Sequence, residues 1–179
     1  MKPIIISGGP GAGKTTLINT LAERGHQTYA ETSRQLIEQQ SQLEDGILPW
    51  TNLSGFADLC LSVMSAQKRE ALECQHLSFM DRAIPDICAY LKQGNLEVSE
   101  RFVEGCTGYY PQAFLCQPEA SIYVQDDVRP YPFEEALDIH QQLLDTYREL
   151  GFEVVMVPWG PVEQRADFII NALKSAREV

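Results

Sequence analysis

The sequence contains no long hydrophobic run and few basic residues. Its longest uninterrupted apolar stretch is only five residues, Ile87–Leu91, whereas a membrane-spanning helix needs about 20, so we expect no membrane span. Lysine and arginine together number 14, against 25 aspartates and glutamates, which gives a net charge of −11. Proteins bind nucleic-acid polymers through clustered lysine and arginine. The composition therefore excludes general nucleic-acid binding through a basic face.

The cysteines show no pairing pattern. There are 5 of them, ten or more residues apart, and none belongs to a CxxC or CxxH motif. We therefore expect reduced, mostly structural thiols rather than disulfides or zinc ligands. The first residues, Met1-Lys2-Pro3, lead directly into an apolar stretch and a glycine-rich turn, which leaves no room for a secretory signal. These features predict a cytoplasmic protein.

The rest of the composition is typical of a globular α/β domain. Hydrophobic residues make up 44% and charged residues 22% of the 179 residues, which suits a chain with a full core. Short apolar runs alternate with helical patterns, and this alternation predicts a parallel sheet covered by helices on both faces. The predicted strands are Pro3–Ser7, Thr28–Ala30, Leu77–Asp81, Ser121–Val124 and Glu153–Val157.

The helical segments have apolar residues at a spacing of about 3.6 residues. Two of them are predicted at Ser33–Leu43 and Ser54–Cys74. A later helix carries His140 on its apolar stripe, so we expect His140 in the core rather than in catalysis. Segment 83–120 begins as helix and then contains several glycines and tyrosines, which favours a mobile lobe over a cleft. No repeat or long linker divides the chain, so one domain is predicted over 1–179.

Residues 8–15 match the phosphate-binding motif GxxxxGK[ST]. An apolar strand precedes the motif and a predicted helix follows it, which is the context that the motif requires. Glycines let backbone N–H groups turn toward phosphate oxygens, and the helix N-terminus adds partial positive charge. We expect Lys14 to contact the β- and γ-phosphates and the Thr15 hydroxyl to ligate Mg²⁺. The predicted nucleotide-binding residues are Gly8, Gly9, Pro10, Gly11, Ala12, Gly13, Lys14, Thr15 and Thr16.

An acid and an arginine follow the second predicted strand. Glu31 ends this strand and Arg34 begins the next helix. Ligands of an open parallel sheet bind beyond the carboxyl ends of its strands. Glu31 is therefore a candidate to accept a proton from a substrate hydroxyl, or to hold that hydroxyl or a magnesium-bound water, while Arg34 holds an anionic group of the substrate. The alternative is that Glu31 caps the helix with Thr32 or Ser33 and that Arg34 is a surface residue.

A second group of polar residues follows the third predicted strand. Asp81 ends an apolar strand, as the carboxylate that organises Mg²⁺ in a nucleotide site does, and Arg82 follows it directly. We expect this strand to neighbour the strand of the phosphate loop, which makes both residues catalytic candidates. The alternative for Asp81 is an ordinary turn acid. Asp86 lies beside Pro85 at a helix start, so a substrate-binding role and a helix-start role stay equally open.

Two later segments are candidates to complete the site. Arg129 lies in a predicted lid, 125–133, where phosphotransferases supply an arginine to the transferred phosphoryl group. Its alternative is a surface ion pair with Asp126 or Asp127. Trp159 follows the fifth predicted strand, where its ring either rests against a nucleotide base or belongs to the core or the surface.

Several motifs together resemble a known family. The stretches GGPGAGKTT, ETSR, FMDRAIPD, DDVR and VPWGPVEQRADFII are similar to those of small bacterial ATP-binding proteins described as AAA-type ATPase domains, which look closer to nucleoside and nucleotide kinases. A weaker likeness extends to the ribosylnicotinamide kinase domain of the bacterial NAD regulator and to a eukaryotic GTP-binding relative with a lipid-binding partner domain. The resemblance covers nearly the whole chain.

This resemblance implies a P-loop NTPase fold, a three-layer α/β sandwich around a five-stranded parallel sheet, with ATP and Mg²⁺ as ligands. In the kinase relatives, an acid after the second strand acts on the substrate hydroxyl, and an acid-arginine pair after the third strand serves magnesium and phosphate. Glu31, Asp81 and Arg82 are the matching positions here.

Three differences from these relatives reduce the number of functions that the sequence supports. Oligomeric AAA machines carry a separate helical lid domain and sensor arginines, for which we expect no room in this chain, so a hexameric remodelling machine is disfavoured. The predicted lid has one arginine where many nucleoside kinases have two or more, which weakens the case for efficient transfer to a small acceptor. The guanine-reading motif NKxD is absent, which removes the main sequence argument for a GTPase switch.

The sequence thus predicts a kinase-like phosphotransferase that binds Mg·ATP and acts on a small hydroxyl-bearing, nucleoside-like acceptor. The alternative is a nucleotide-gated regulatory module that hydrolyses ATP or GTP slowly and signals through a protein or lipid partner. Loop 105–112, with the exposed-looking Tyr109 and Tyr110, favours that alternative. An acidic body with a few basic residues at predicted strand ends is consistent with one discrete anion rather than an extended polymer.

Overall fold

The computed structural model describes residues 1–127 and 130–176. Within them, parallel strands form one sheet with the order β2-β3-β1-β4-β5. The strands are β1 (Ile4–Gly8), β2 (Gln27–Tyr29), β3 (Ser78–Asp81), β4 (Gln112–Cys116) and β5 (Glu153–Val157). Four of the predicted strands are confirmed, with ends that shift by no more than one residue.

Helices cover both faces of this sheet. In the described parts of the chain they are α1 (Lys14–Glu23), α2 (Thr32–Gln40), α3 (Leu53–Glu73), α4 (Ile84–Gln93), α5 (Glu100–Gly105), α6 (Phe133–Glu149) and α7 (Val162–Ser175). The alternation of side chains along β1 separates the two faces. Ile4 and Ile6 pack with α1 and α7, whereas Ile5 packs with α3, α4 and α6. The predicted three-layer fold is therefore confirmed.

The fourth strand is not where the sequence predicts it. Ala120–Ile122 forms a short 3₁₀ helix in place of the strand expected at Ser121–Val124, and β4 is Gln112–Cys116. This strand pairs with β1 and β5, and its last four residues are fully buried. It lacks β-branched residues, so its strand conformation comes from burial between two neighbours rather than from intrinsic propensity. β4 is an interior strand, so residues 112–116 belong to the sheet and not to a lobe over the cleft. That the rest of segment 83–120 forms a mobile lobe stays a prediction.

No helix in the described ranges is long and apolar enough to cross a membrane.

The strand order brings three chain segments to one edge of the sheet. β3 lies between β1 and β2, and all three strands run in the same direction. Their carboxyl ends therefore meet at one edge, which is where ligands of such sheets bind. β1 leads into the phosphate loop, β3 ends at Asp81, and Glu31 follows β2 closely.

Candidate active site

A glycine-rich loop of residues 9–13 connects β1 to α1. Gly11 has φ +72° and Gly13 has φ +69°, a left-handed conformation that glycine adopts without the steric penalty of a side chain. A Cβ atom on Gly8 would lie 2.0 Å from the carbonyl oxygen of Cys116. The motif glycines are thus required by backbone conformation and by the close approach of β4.

His140 on α6 contacts this loop. The backbone N–H of Gly9 donates to His140 Nδ1 at 3.1 Å. Burial, together with the positive charges of Lys14 and Arg82, lowers the pKa of His140 to about 4. A neutral imidazole can accept this bond, whereas an imidazolium has no free acceptor nitrogen. His140 is a buried residue, as predicted, and it also supports the phosphate loop.

Arg165 on α7 also contacts the loop, and sequence reasoning missed it. Its side chain donates to the carbonyl of Ala12 at 2.9 Å and to that of Gly13 at 3.5 Å. The guanidinium carbon lies 5.2 Å from the ring centre of Trp159. One signal was present in the sequence, because Arg165 directly precedes Ala166, which forms an apolar stripe at helical spacing with Val162, Ile169 and Leu173. A charged residue beside the buried face of a helix calls for a specific partner.

Lys14 is the first residue of α1 and is almost fully buried. Its Nζ lies 3.3 Å from the carbonyl oxygen of Gly9. Burial lowers the pKa of Lys14 to about 8 with help from the charge of Arg82, although Asp81 and Glu31 act in the opposite direction. Lys14 is therefore still mainly a cation at pH 7, as phosphate binding requires.

Asp81 has the properties of a group that organises magnesium. Its side chain is buried, and its Oδ1 atom has no hydrogen-bond partner. Burial raises the pKa of Asp81 to about 6, against the opposing charges of Lys14 and Arg82. A buried carboxylate oxygen without a partner needs a cation or a bound water. Thr15 at the start of α1 is exposed, lines a cavity beside the phosphate loop and supplies a hydroxyl.

These groups fit Mg²⁺ that arrives with a nucleotide. Magnesium usually takes one or two protein ligands and completes its shell with phosphate oxygens and water. In the part of the chain that the structure describes, no group of three or more His, Cys, Asp or Glu residues is placed to hold a metal ion. Asp81 and Thr15 would hold the ion, which would supply positive charge against the phosphates.

Arg82 links the ends of β2 and β3. Its Nε donates to Glu31 at 3.2 Å and its Nη1 donates to Asp86 at 3.0 Å. The backbone N–H of Arg82 donates to the carbonyl of Ile6 at 2.9 Å. The φ angle of Arg82 is +64°. A left-handed conformation costs a residue with a side chain about 1–3 kcal/mol, and such residues cluster at functional sites. The two carboxylates and this backbone bond hold the guanidinium in one place.

Asp86 is completely buried beneath Arg82. Its carboxylate accepts hydrogen bonds from the hydroxyls of Ser7 and Tyr147 as well as from Arg82. It also accepts the N–H of Ala83 at 3.0 Å, which caps the start of α4. The helix-start role is thus present, and no face of the carboxylate is open to a substrate. The predicted substrate contact by Asp86 is wrong, because its oxygens are used to orient Arg82.

Glu31 does not act as a helix cap. Its side chain makes no hydrogen bond to the first backbone N–H groups of α2, and it accepts instead from Ser33 Oγ at 3.0 Å and from Arg82. Burial favours the neutral form of Glu31, but the charges of Arg82 and Lys14 outweigh it and lower the pKa of Glu31 to about 2. Glu31 is therefore an ionised hydrogen-bond acceptor across the physiological pH range.

The remaining candidates lie at the rim. Arg34 lines the cavity, and its Nη2 lies 3.4 Å from a carboxylate oxygen of Asp126. This position is compatible with contact to an anionic group of the substrate and with the alternative of a surface residue. Trp159 is 49% exposed and also lines the cavity beside the phosphate loop. Arg129 lies outside the described residues.

The phosphate loop and the Glu31–Arg82 pair open into the same cavity of about 830 Å³. Helices α2, α3 and α4, with the segment before α3, supply an apolar and aromatic part of its wall. The residues of this part are Ile37, Trp50, Leu53, Phe56, Ala57, Ile87 and Tyr90. Ligand cavities commonly have volumes of 300–1,000 Å³ and mostly apolar walls. Sequence reasoning did not find this wall, because apolar residues that line a cavity have the same spacing as those that fill a core.

Comparisons with known proteins agree with the fold. A family model described as an AAA domain matches residues 3–165. A comparison with curated protein sequences gives no match. Deoxyadenosine kinase from M. mycoides, solved with bound dATP, is 14% identical with a TM-score of 0.61, over 97% of this chain and 100% of that one.

A second solved structure, the NadR protein in complex with NR, is 19% identical with a TM-score of 0.70. The likeness covers 99% of this chain but only 52% of NadR, so the chain spans about half of that protein. NadR in complex with NAD and AMP-PNP gives a TM-score of 0.65 at 18% identity. At these identities the likeness shows a shared fold.

Proposed function

The chain belongs to this family of AAA domains, with a P-loop NTPase fold like that of nucleoside kinases, and we propose that it transfers the γ-phosphate of Mg·ATP to a small hydroxyl-bearing, nucleoside-like acceptor. The observation that carries the proposal is the shared cavity, because one space of about 830 Å³ is lined by the phosphate loop and by Glu31 and Arg82. A protein that only hydrolyses ATP has no need of an acceptor pocket. ATP and magnesium both belong to the cytoplasm, which is where we place this activity.

The donor side of the cavity provides the groups that a triphosphate needs. The N–H groups of the loop and the start of α1 face an anion favourably, and Lys14 adds a full positive charge. Asp81 and Thr15 would hold the magnesium ion, as their positions at the end of β3 and the start of α1 suggest. In phosphoryl transfer these electrostatic and positioning contributions supply most of the rate enhancement.

On the acceptor side, the ionised carboxylate of Glu31 would accept a hydrogen bond from the attacking hydroxyl. A strong base is not required, because charge in a loose phosphoryl-transfer transition state develops mainly on the transferred group. Arg82, held by Glu31 and Asp86, would add positive charge near that group, and Arg34 would contact an anionic part of the substrate. The nucleoside kinase among the fold neighbours supports a nucleoside-like acceptor.

A transfer assay with γ-labelled ATP tests this proposal. The protein is incubated with Mg²⁺ and with nucleosides and other hydroxyl-bearing metabolites, and the products are separated from free phosphate. We expect label in at least one acceptor and none with the Lys14→Ala variant. Label that appears only in free phosphate, whatever acceptor is added, would contradict the proposal.

The regulatory alternative loses the support of its tyrosine loop, while the single arginine of the predicted lid still favours it. Tyr109 is only 4% exposed and Tyr110 packs against the core, so loop 105–112 does not present two exposed tyrosines to a partner. A pull-down with and without nucleotide separates the two functions, since a switch requires different partner affinities in its two states.

A further inference from the structure

Arg165 is a buried cation on α7 that contacts the phosphate loop and also lines the cavity beside it. It is 3% exposed, and among the described residues no carboxylate lies within ion-pair distance of it. Removing a charge from water is costly unless hydrogen bonds compensate. The carbonyl oxygens of Ala12 and Gly13 provide such bonds. Arg165 therefore forms hydrogen bonds with the phosphate loop and no ion pair with a surface carboxylate of the described residues.

The contact with Ala12 orients one peptide group, and the contact with Gly13 adds to the helical bond in which Leu17 N–H donates to the same carbonyl at 3.3 Å. The described chain contains no cis peptide bond, so the C=O and N–H of each peptide unit point in opposite directions. The Ala12 carbonyl shares its unit with the Gly13 N–H, and the Gly13 carbonyl shares its unit with the Lys14 N–H. When Arg165 holds both carbonyls toward α7, both N–H groups point away from α7.

Contacts from outside the loop restrict its backbone, and Arg165 is one of them beside His140. Gly11 and Gly13 are both left-handed, and glycine has more backbone freedom to lose than any other residue. A Cβ on Gly13 would lie 2.9 Å from Arg165 Nη1, so the arginine packs directly against the loop. The ring of Trp159 lies against the guanidinium and stabilises its position through a cation–π contact.

We propose that Arg165 is a positioning residue for nucleotide binding: it orients the N–H donors of Gly13 and Lys14 toward the β-phosphate. This inference rests on the proposed binding of ATP. It predicts that Arg165 acts on the part of the affinity that comes from the β-phosphate, and not on the fold or on the rest of the nucleotide.

The test compares the affinities for ADP and AMP by calorimetric titration, because these nucleotides differ by the β-phosphate. We expect Arg165→Gln to weaken ADP binding at least tenfold and to change AMP binding less than twofold. Arg165→Lys keeps the charge but loses the planar fork that contacts two carbonyls, so we expect an intermediate loss of ADP affinity. Lysine also keeps a buried cation in place if the glutamine variant does not fold.

Arg24→Gln is the matched control. Arg24 also connects to α7, through Glu163 and Asp167, but at the surface, and we expect its variant to keep the wild-type ratio of ADP to AMP affinity. An unchanged ratio in both Arg165 variants, or an equal loss of both affinities, would overturn the positioning role. A wild-type protein that binds neither nucleotide would instead contradict the proposed function itself.

Discussion

The Nε atom of Arg82 donates to a carboxylate oxygen of Glu31 across 3.2 Å. This bond joins the loops after β2 and β3. The charges of Arg82 and Lys14 lower the pKa of Glu31 to about 2 against the effect of burial. Glu31 is therefore an ionised hydrogen-bond acceptor across the physiological pH range.

Glu31→Gln removes this charge with little change in shape. If Glu31 orients the acceptor hydroxyl, we expect kcat for transfer to fall by about 100-fold or more, within the range for a positioned acid or base. The affinity for ATP should change less than twofold. Steady-state kinetics and ATP titration measure the two effects. Glu38→Gln is the control, because Glu38 is exposed on the same helix, and equal kcat values for both variants would contradict this role.

Asp86→Asn leaves the Arg82 guanidinium buried with one fewer charged partner. Removing one member of a buried ion pair typically destabilises a protein by about 3–5 kcal/mol, so we expect the free energy of unfolding to fall by about that amount. Urea denaturation measures it.

The control for that measurement is Asp145→Asn, since Asp145 faces Arg148 in an exposed pair. Exposed pairs contribute about 0–1 kcal/mol. If the two variants lose the same stability, the Asp86 network does not hold Arg82 as described here.

The lowered pKa of His140 predicts that acid decreases the stability of the folded protein. Its pKa is lowered to about 4 in the folded protein, so between about pH 6.5 and pH 4 the unfolded chain binds more protons at this residue. The stability that the neutral imidazole contributes is complete above pH 6.5 and is lost as the pH falls through 4. His140→Asn keeps an acceptor for the Gly9 N–H but does not titrate.

Thermal unfolding of the wild type and the His140→Asn variant checks this sign. As the pH falls from 6.5 to 4, the free energy of unfolding of the wild type should decrease relative to that of the variant. A difference that is constant over this interval would show that His140 does not accept the Gly9 N–H in its neutral form.

Asp81→Asn tests the proposed magnesium site. Asp81 Oδ1 is buried without a partner, and the amide is a weaker ligand for Mg²⁺ than the carboxylate. We expect the variant to lose most of the gain in ATP affinity that magnesium gives to the wild type, while its affinity for metal-free ATP stays the same or rises. Titration of ATP with and without Mg²⁺ measures this gain, and an equal gain in both proteins would exclude Asp81 from the metal shell.

The sequence predicted the parts of the site that are continuous along the chain. The phosphate loop is one short motif between a strand and a helix, and Glu31, Asp81 and Arg82 follow strands whose ends are easy to recognise. β4 was missed because Gln112–Cys116 has a weak strand propensity, and only its two neighbours in the sheet make it a strand.

The role of Asp86 and the contact of Arg165 with the loop depend on long-range pairing. The partners of Asp86 include Ser7 and Tyr147, which lie 79 and 61 residues away in the chain, and Arg165 is 153 residues from Ala12. No local pattern encodes such pairs. A sequence could reveal only that a charged side chain belongs to an otherwise apolar face.

In the proposed reaction, donor phosphate and acceptor hydroxyl meet in one cavity. This meeting can be observed in a structure with a non-hydrolysable ATP analogue, Mg²⁺ and the acceptor found by the transfer assay. We predict that the γ-phosphorus lies about 3–3.5 Å from the acceptor oxygen, and that this oxygen is within hydrogen-bond distance of Glu31. An acceptor bound outside the cavity, or a γ-phosphate that faces away from Glu31 and Arg82, would contradict the account.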